Sequence, residues 1–221
     1  MWTPTFGTIP DVGGVDLPRA LESDRAFLEP EYPFEMITPI TAPPEPAGIR
    51  THPATATDDP AVEALFQALH AHNAGLDPLF ALGPSWRAAL QAHVRRVRDD
   101  ATGRSGLTLL AWLDGRPVGL LMMGGQADTE LFLHRHWAEL LALYVSPAVR
   151  GRGLGSHLVR TGVAWARDHG YPRIQLYVTA SNQAGRALYE CAGFRLSQEI
   201  WRLDLTTDTE TASASDGDHH R

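Results

Sequence analysis

The chain has 221 residues, of which 43% are hydrophobic and 20% charged, enough for one substantial core with an appendage but not for two enzymatic domains. All 19 basic residues are arginines, so Schiff-base, serine–lysine and phosphate-loop chemistry, which need lysine, are excluded. The formal charge of −7 disfavours binding to nucleic acid or to an anionic membrane.

Cysteine content and hydropathy indicate the compartment. The single cysteine, Cys191, excludes an internal disulfide and a multi-cysteine zinc site. No run of about 18 apolar residues is present that would span a bilayer. The first residues also lack the early positive charge and apolar stretch of a secretory signal. We therefore expect a cytoplasmic protein that binds no metal.

Negative charge is in excess at both ends of the chain and proline is concentrated at its N-terminal end, which predicts three segments. Residues 1–47 carry a net charge of −6 and are rich in proline, although they contain many large apolar side chains. Residues 48–205 carry +2, and residues 206–221 carry −3 with no large apolar residue. We expect an acidic N-terminal arm that either wraps a core or stays disordered, an α/β domain, and a disordered acidic tail.

The domain is predicted to begin with a strand and two helices. Residues 49–54 form a short extended stretch, and Asp59 is the N-cap of a helix that stops at residues 73–75. A second helix ends near Gly103. Apolar residues recur at helical spacing in both helices, namely Val62, Leu65, Phe66 and Leu69 in the first, and Trp86, Leu90, Val94 and Val97 in the second.

Strands dominate the middle of the domain. Residues 107–113 and 118–123 are predicted to pair through a tight Asp-Gly turn. A polar insertion that contains His134 and His136 then leads to the apolar strand 140–145.

The last part of the domain alternates helix and strand. A helix follows the glycine-rich residues 150–155, residues 174–178 form a strand, and Asn182 caps a further helix. Alternation of Trp201, Leu203 and Leu205 with polar residues predicts a final strand, 200–205. The element order β-α-α-β-β-β-α-β-α-β indicates a layered α/β fold.

The run Arg150-Gly151-Arg152-Gly153-Leu154-Gly155 is the most informative stretch, because it lies between a buried strand and the start of a helix. Its alternating glycines let backbone N–H groups approach a ligand without a Cβ in the way, at the positive end of a helix dipole. The arginines add mobile positive charge. The pattern favours binding of a phosphate or pyrophosphate over a simple strand-to-helix turn.

A dinucleotide site is disfavoured. Such a site needs an acidic residue near the end of the following strand to hold a ribose, and residues 178–182 contain none. Ser156 also stands where that motif has its last glycine. A hairpin, and not a further βαβ unit, precedes the turn.

Four segments in residues 139–194 match one family pattern in the right order. They are Leu143-Tyr144-Val145-Ser146-Pro147, the run 150–155, Asn182, and Ala187-Leu188-Tyr189-Glu190-Cys191-Ala192-Gly193-Phe194. In these segments the sequence resembles the GNAT superfamily of acetyl-CoA-dependent N-acetyltransferases. Arg150, Gly153 and Gly155 match its Arg/Gln-x-x-Gly-x-Gly/Ala coenzyme A motif. The resemblance implies a mixed, mostly antiparallel sheet with flanking helices over residues 48–205.

The resemblance also implies acetyl-CoA as the co-substrate. In this family the strand corresponding to 140–145 splays from its parallel neighbour, here 174–178, and leaves backbone groups unpaired. Those of Leu143 and Val145 are expected to bind the pantetheine arm, with Tyr144 between them. The segment Gly151, Arg152, Gly153, Leu154, Gly155 and Ser156 is expected to hold the diphosphate, and Asn182 to lie beside the pantetheine.

The implied reaction is attack by a neutral amine on the thioester carbonyl. An alkylamine has a pKa of about 10, so a base must remove its proton. Glu139, at the start of the splayed strand, is the first candidate and would act through a water; His134 and His136 are its rivals. A backbone N–H of Val145 or Tyr144 is expected to hold the oxyanion. Tyr189, at the family's general-acid position, would protonate the thiolate.

Two functions from different classes remain open. The first is an N-acetyltransferase that acts by direct attack in a ternary complex on a primary amine of a small molecule or a peptide. The second is a catalytically silent acyl-CoA-binding sensor or interaction module. Tyr189 and Glu139 favour the enzyme. The N-terminal arm is a candidate for a homodimer contact or for lining the acceptor groove, and its composition does not decide between them.

Overall fold

The strands of the sheet follow the chain order, β1-β2-β3-β4-β5, and helices cover both faces. The structure is a computed structural model in which residues 44–203 are described. The strands are β1 Ile49–Pro53, β2 Gly106–Leu113, β3 Arg116–Ala127, β4 His136–Val145 and β5 Ile174–Leu176. The helices are α1 Asp59–Leu76, α2 Trp86–Asp99, α3 Leu154–Asp168 and α4 Gln183–Cys191, with short 3₁₀ turns at Ala56–Asp58, Pro78–Phe80 and Pro147–Val149.

Neighbouring strands from β1 to β4 pair antiparallel, whereas β5 pairs parallel with β4. This confirms the predicted mixed, mostly antiparallel sheet with flanking helices. The predicted hairpin joins β2 to β3 through Asp114 and Gly115, which have φ of +49° and +71°. Positive φ at both central residues matches the right-handed twist of the strands.

Two apolar layers hold the helices on the sheet. Because β2 and β3 are covered on both faces, most of their residues are apolar and the strands do not alternate with polar residues along their length. One face packs against α1 and α2 through Leu110, Leu120 and Met122. The other face packs against α3 through Leu121 and Met123. Groups that meet a ligand therefore have to lie at the edges and ends of the strands.

A β-bulge sets the course of β4. Met122 pairs with Ala142 and Met123 pairs with Leu140, so Leu141 has no partner on β3. An extra residue of this kind bends the strand and increases its local twist.

β4 and β5 separate soon after they meet. Their parallel pairing covers Ala138 to Leu140 on β4 and ends at Leu176 on β5. Beyond it, β4 continues to Val145 and pairs with β3 alone. The splay implied by the family resemblance is therefore present, although β5 is shorter than the predicted 174–178.

Some element boundaries differ from the prediction. The polar insertion is shorter, because β3 extends to Ala127 and β4 already begins at His136. Asp59 is the first residue of α1 and not its N-cap, and the helix continues through Gly75 until Asp77 turns extended. A glycine inside a helix costs only about 1 kcal/mol, which packing of the helix on the sheet offsets.

The predicted strand 200–205 is wrong as far as the structure describes it. Residues 195–203 contain no strand, and the side chains of Trp201 and Leu203 are exposed. Alternating polarity produces a strand only where a neighbouring strand supplies hydrogen-bond partners. Arg202 instead forms an ion pair with Asp77, with 3.1 Å between Nη1 and Oδ2.

The structural expectations for both ends of the chain lie outside the described residues. These are the course of the N-terminal arm up to residue 43, its part in a homodimer, and the order of the tail 206–221. The three-segment domain plan therefore stays a prediction. Within residues 44–203, no helix is both long and apolar enough to cross a membrane.

We expect Gly125→Ala to lower the free energy of unfolding by about 1–3 kcal/mol, the usual cost of overpacking a core. A Cβ at Gly125 would collide with the hydroxyl of Tyr171 and lie 3.0 Å from the Arg104 carbonyl oxygen. That hydroxyl donates a hydrogen bond to the same carbonyl at 2.6 Å, so it is not free to move aside. Denaturant titration measures the change.

Gly75→Ala is the matched control for this substitution. A Cβ at Gly75 meets nothing within 4 Å, so alanine should stabilise α1 by about 0.5–1 kcal/mol. Equal destabilisation by the two substitutions would contradict the packing explanation.

Candidate active site

The glycine-rich turn joins β4 to α3 through two residues with a left-handed backbone. Gly151 and Gly153 have φ of +76° and +82°, a conformation that residues with a Cβ rarely adopt. Gly153 is also the N-cap of α3. A Cβ at either position would meet nothing within 4 Å. Backbone conformation therefore requires glycine here, and the space beside the turn is open to a ligand.

The start of α3 presents a row of unpaired backbone donors. Within the described chain, the N–H groups from Gly151 to Ser156 donate no hydrogen bond to the protein, and the first bond runs from His157 N to Gly153 O at 3.0 Å. Free N–H groups at a helix N-terminus carry partial positive charge and bind anions. The segment predicted to hold a diphosphate therefore fits that group.

Gly155 is closely packed against α4. A Cβ at this position would lie 3.2 Å from Leu188 Cδ2 and 3.9 Å from Val145 Cγ2. The missing side chain lets α4 approach the start of α3 beside the end of β4. Tyr189, which follows Leu188, packs against the same apolar layer as the start of α3.

The end of β4 offers backbone groups to the gap that β5 leaves. Ser146 N donates to Val118 O on β3 at 2.8 Å. Backbone groups of successive residues point to opposite edges of a strand, so Tyr144 also faces β3, whereas Leu143 and Val145 face the gap. The Tyr144 N–H does not fit the expected role of oxyanion donor, because it points to β3.

The two arginines of the turn make different contacts. Arg150 Nε donates to Val145 O at 3.0 Å, and Arg152 Nη2 donates to Ala47 O at 3.0 Å. Both side chains are exposed. Their other guanidinium nitrogens form no hydrogen bond to residues 44–203, so both arginines keep donors for an anion.

Asn182 caps α4, as predicted. Its Oδ1 accepts a hydrogen bond from Gly185 N at 2.9 Å, which satisfies one of the free donors at the helix start. The contact to a cofactor that the resemblance implies for Asn182 stays a prediction.

Tyr189 is half-buried on α4, and its ring meets that of Phe194 edge-on with 5.9 Å between centroids. Burial raises the pKa of its hydroxyl to about 12. The hydroxyl forms no hydrogen bond within the described residues, and it is not among their fully buried unpaired polar atoms. The raised pKa keeps the hydroxyl protonated at neutral pH.

Glu139 lies in the paired part of β4, opposite Gln175. It is not at the start of the strand as predicted, because β4 already begins at His136. Burial raises the pKa of its carboxyl, and the Trp137 side chain offsets part of the rise. Burial also raises the pKa of Tyr177, and the nearby charge of Glu139 adds to it. A raised pKa brings the Glu139 carboxylate closer to the range of a general base at neutral pH.

The two histidines that are alternative candidates for the general base do not lie on the same side of β4 as Glu139. His136 lies three residues earlier on β4 and therefore faces the other side of the sheet. His134 is exposed in the preceding loop, where its carbonyl accepts a hydrogen bond from Arg173 Nη1 at 2.6 Å. Across residues 44–203, no three His, Cys, Asp or Glu side chains form a group that could hold a metal.

The sequence prediction missed the residues around Glu139. The guanidinium of Arg173 lies 5.1 Å from the centroid of the Trp137 ring, and its Nε donates to Gln175 Oε1 at 3.0 Å. These residues and Tyr177 lie at alternate positions of two segments that the parallel register brings together. Alternation was visible in the sequence, but the register was not.

Comparison with known proteins gives one matching family. The family described as Acetyltransferase (GNAT) family matches residues 77–194. This segment contains every residue predicted to belong to the site.

Two curated relatives carry the same name. Mycothiol acetyltransferase from Kocuria rhizophila is 32% identical over 108 residues, which are 43% of this chain and 34% of that protein. Mycothiol acetyltransferase from Acidothermus cellulolyticus is 32% identical over 173 residues, which are 73% of this chain and 48% of that protein. The chain thus spans between about a third and a half of the length of these relatives.

Solved structures show the same fold. A mutant of the BH1408 protein from Bacillus halodurans superimposes with a TM-score of 0.59 at 18% identity, covering 71% of this chain and 99% of that chain. AAC(6')-Iy in complex with the bisubstrate analogue CoA-S-monomethyl-acetylneamine superimposes with a TM-score of 0.53 at 16% identity, covering 72% and 99%.

Loss of the α4 cap should be measurable without any ligand. We expect Asn182→Ala to lower the free energy of unfolding by about 1 kcal/mol, because the Gly185 N–H loses its acceptor. Asn182→Asp keeps an oxygen at the same place and should remain close to the wild type in denaturant titration. If aspartate destabilised the protein as much as alanine, the cap would not be the source of the effect.

Proposed function

This chain belongs to the GNAT acetyltransferase family, and we propose on that premise that it transfers an acetyl group from acetyl-CoA to the primary amine of a small molecule. Two sets of free backbone groups at one junction carry the proposal. They are the N–H groups of residues 151–156 and three gap-facing groups of β4, namely the N–H and carbonyl of Leu143 and the N–H of Val145. Together they suit a ligand with an anionic end and an amide-bearing arm.

The binding roles follow from these contacts. Residues 151–156 bind the diphosphate through backbone N–H groups, with added charge from Arg150 and Arg152. Leu143 binds the amide-bearing arm as a neighbouring strand would, the Val145 N–H faces the thioester end of the arm, and Asn182 contacts the arm from the start of α4. Bound acetyl-CoA supplies a thioester whose carbonyl carbon accepts the nucleophile.

Glu139 accepts the proton that the acceptor has to lose. An alkylamine with a pKa of about 10 is protonated at neutral pH. The raised pKa of Glu139 narrows the difference between base and amine. Because Glu139 precedes the gap along β4, we assign a water to carry the proton between them.

Val145 and Tyr189 stabilise the charges that develop as the C–N bond forms and the C–S bond breaks. The Val145 N–H faces the gap and donates to the carbonyl oxygen. The Tyr189 hydroxyl donates a hydrogen bond to the departing sulfur and stabilises its developing negative charge. Because its pKa of about 12 exceeds that of a thiol, about 8.5, the phenol keeps its proton, and the released thiolate takes a proton from solvent.

A small-molecule amine suits the acceptor side of the sheet. The apolar layer under α1 and α2 includes the side chains of Tyr144 and Trp86. Glu139 points to the same side, because its neighbours Ala138 and Leu140 pack in the opposite layer. The name of the relatives, mycothiol acetyltransferase, also supports a small acceptor. A peptide amine is the alternative.

Thiol release from acetyl-CoA, measured against a panel of small amines, aminoglycosides and peptides, tests the proposal. The wild type should release thiol only when an amine acceptor is present. Tyr189→Phe should lower kcat by about 10²-fold or more, the usual cost of removing a donor aimed at a developing charge. Its affinity for acetyl-CoA should stay close to that of the wild type.

Gly153→Asp separates binding from chemistry. Acetyl-CoA at about 100 times its Kd should stabilise the wild type by about 2.7 kcal/mol. The variant should lose this gain, because its carboxylate repels the diphosphate. Stabilisation of the wild type without amine-dependent thiol release, and no effect of Tyr189→Phe, would indicate an acyl-CoA-binding sensor instead of an enzyme.

Glu139 should produce an acidic limb in the pH dependence of kcat/KM. As the pH falls through its raised pKa, the carboxylate is protonated and no longer accepts a proton. The limb should lie above the ordinary glutamate pKa of about 4.3. Glu139→Gln should remove it and lower kcat/KM at neutral pH.

The same titration should appear in stability without any turnover. A carboxyl whose pKa is raised on folding binds more protons in the folded state, so the free energy of unfolding falls as the pH rises through that window. The wild type should therefore lose stability relative to Glu139→Gln as the pH rises above the ordinary value. Parallel stability profiles of the two proteins would contradict the assignment.

A further inference from the structure

The Arg150 side chain reaches back to the strand that it follows. Its Nε donates to the Val145 carbonyl at 3.0 Å. The N–H of the same peptide unit, Ser146 N, donates to Val118 O on β3 at 2.8 Å. The peptide unit between Val145 and Ser146 is therefore held on both sides, by an arginine on the gap edge and by β3 on the other.

We propose that Arg150 is a positioning residue whose ε N–H clamps this peptide unit and so aims the Val145 N–H into the gap. The inference rests on the proposed function, in which that N–H stabilises the developing negative charge. Because each peptide unit is planar, fixing one unit restricts the dihedral angles that join it to the next. A donor that is already aimed needs no reorganisation when the charge develops.

The same hydrogen bond closes the open edge of β4. The Val145 carbonyl is the last gap-facing acceptor of the strand, and Arg150 occupies it. The gap-facing groups left for a ligand are those of Leu143 and the Val145 N–H. Pairing with a guanidinium also offsets the negative end of the carbonyl dipole close to the place where an oxyanion would form.

The clamp depends on the position of the donor more than on its charge. The arginine Nε and the glutamine side-chain nitrogen are both bonded to Cδ, so glutamine offers an uncharged N–H at the same place. Lysine keeps the charge but carries it beyond Cε and has no N–H at the ε position.

Arg150→Gln and Arg150→Lys separate the clamp from the charge. Arg150→Gln should keep kcat within about threefold of the wild type and raise the Kd for acetyl-CoA about tenfold, the loss of one charge-assisted contact. Arg150→Lys should keep the Kd within about threefold and lower kcat about tenfold or more, because the oxyanion donor is no longer held. Calorimetry measures the Kd without turnover.

The same pair of substitutions at Arg152 is the matched control. Arg152 donates to Ala47 O through Nη2 and makes no hydrogen bond to β4. Charge should therefore decide the outcome there, and Arg152→Lys should exceed Arg152→Gln in both affinity and kcat/KM. At Arg150, by contrast, the glutamine variant is expected to have the higher kcat and the lysine variant the lower one.

If the kcat of Arg150→Lys equals or exceeds that of Arg150→Gln, the proposed positioning role of Arg150 is contradicted, whatever the affinities for acetyl-CoA are. If the wild type turns over and this order is seen, the inference fails alone. If the wild type releases no thiol with any amine, the proposed function fails and the inference fails with it.

Discussion

β4 is hydrogen-bonded along only one edge in its last residues, and the ligand-facing features of the chain depend on this asymmetry. The bulge at Leu141 bends the strand, and the parallel pairing with β5 ends at Leu176. An unpaired strand edge usually invites association with other chains. Here the open stretch is only a few residues long, and the Arg150 side chain closes its end.

The three glycines of the turn meet two different physical needs. Gly151 and Gly153 allow backbone angles that aim N–H groups outward, whereas Gly155 makes room for Leu188. The first pair shapes the proposed anion site, and the third lets α4, which carries Tyr189, pack close to it. Because α3 is anchored in the core beneath the sheet, the anion site, the strand edge and the phenol belong to one packed unit.

Sequence patterns predicted the elements whose structure depends on residues close together in the chain. Helical spacing placed α1 and α2, the Asp-Gly pair placed the hairpin, and the glycine run placed the turn, since each depends on neighbouring residues. The predicted strand 200–205 is wrong for its described residues, 200–203, because a strand needs a distant pairing partner. The orientation of Tyr144, the surroundings of Glu139 and the Arg150 hydrogen bond escaped prediction for the same reason, since each depends on strand register or on a contact across a turn.

The donors of residues 151–156 lie at the end of the ligand remote from the reacting carbon. In the proposed reaction they bind the diphosphate, which acetyl-CoA and free coenzyme A share, so they bind both forms equally well. Equal binding of the two forms adds affinity without speeding the chemical step. It also makes the release of free coenzyme A a candidate for the rate-limiting step of the catalytic cycle. Discrimination between the two forms then falls to the few atoms near Val145 and Tyr189.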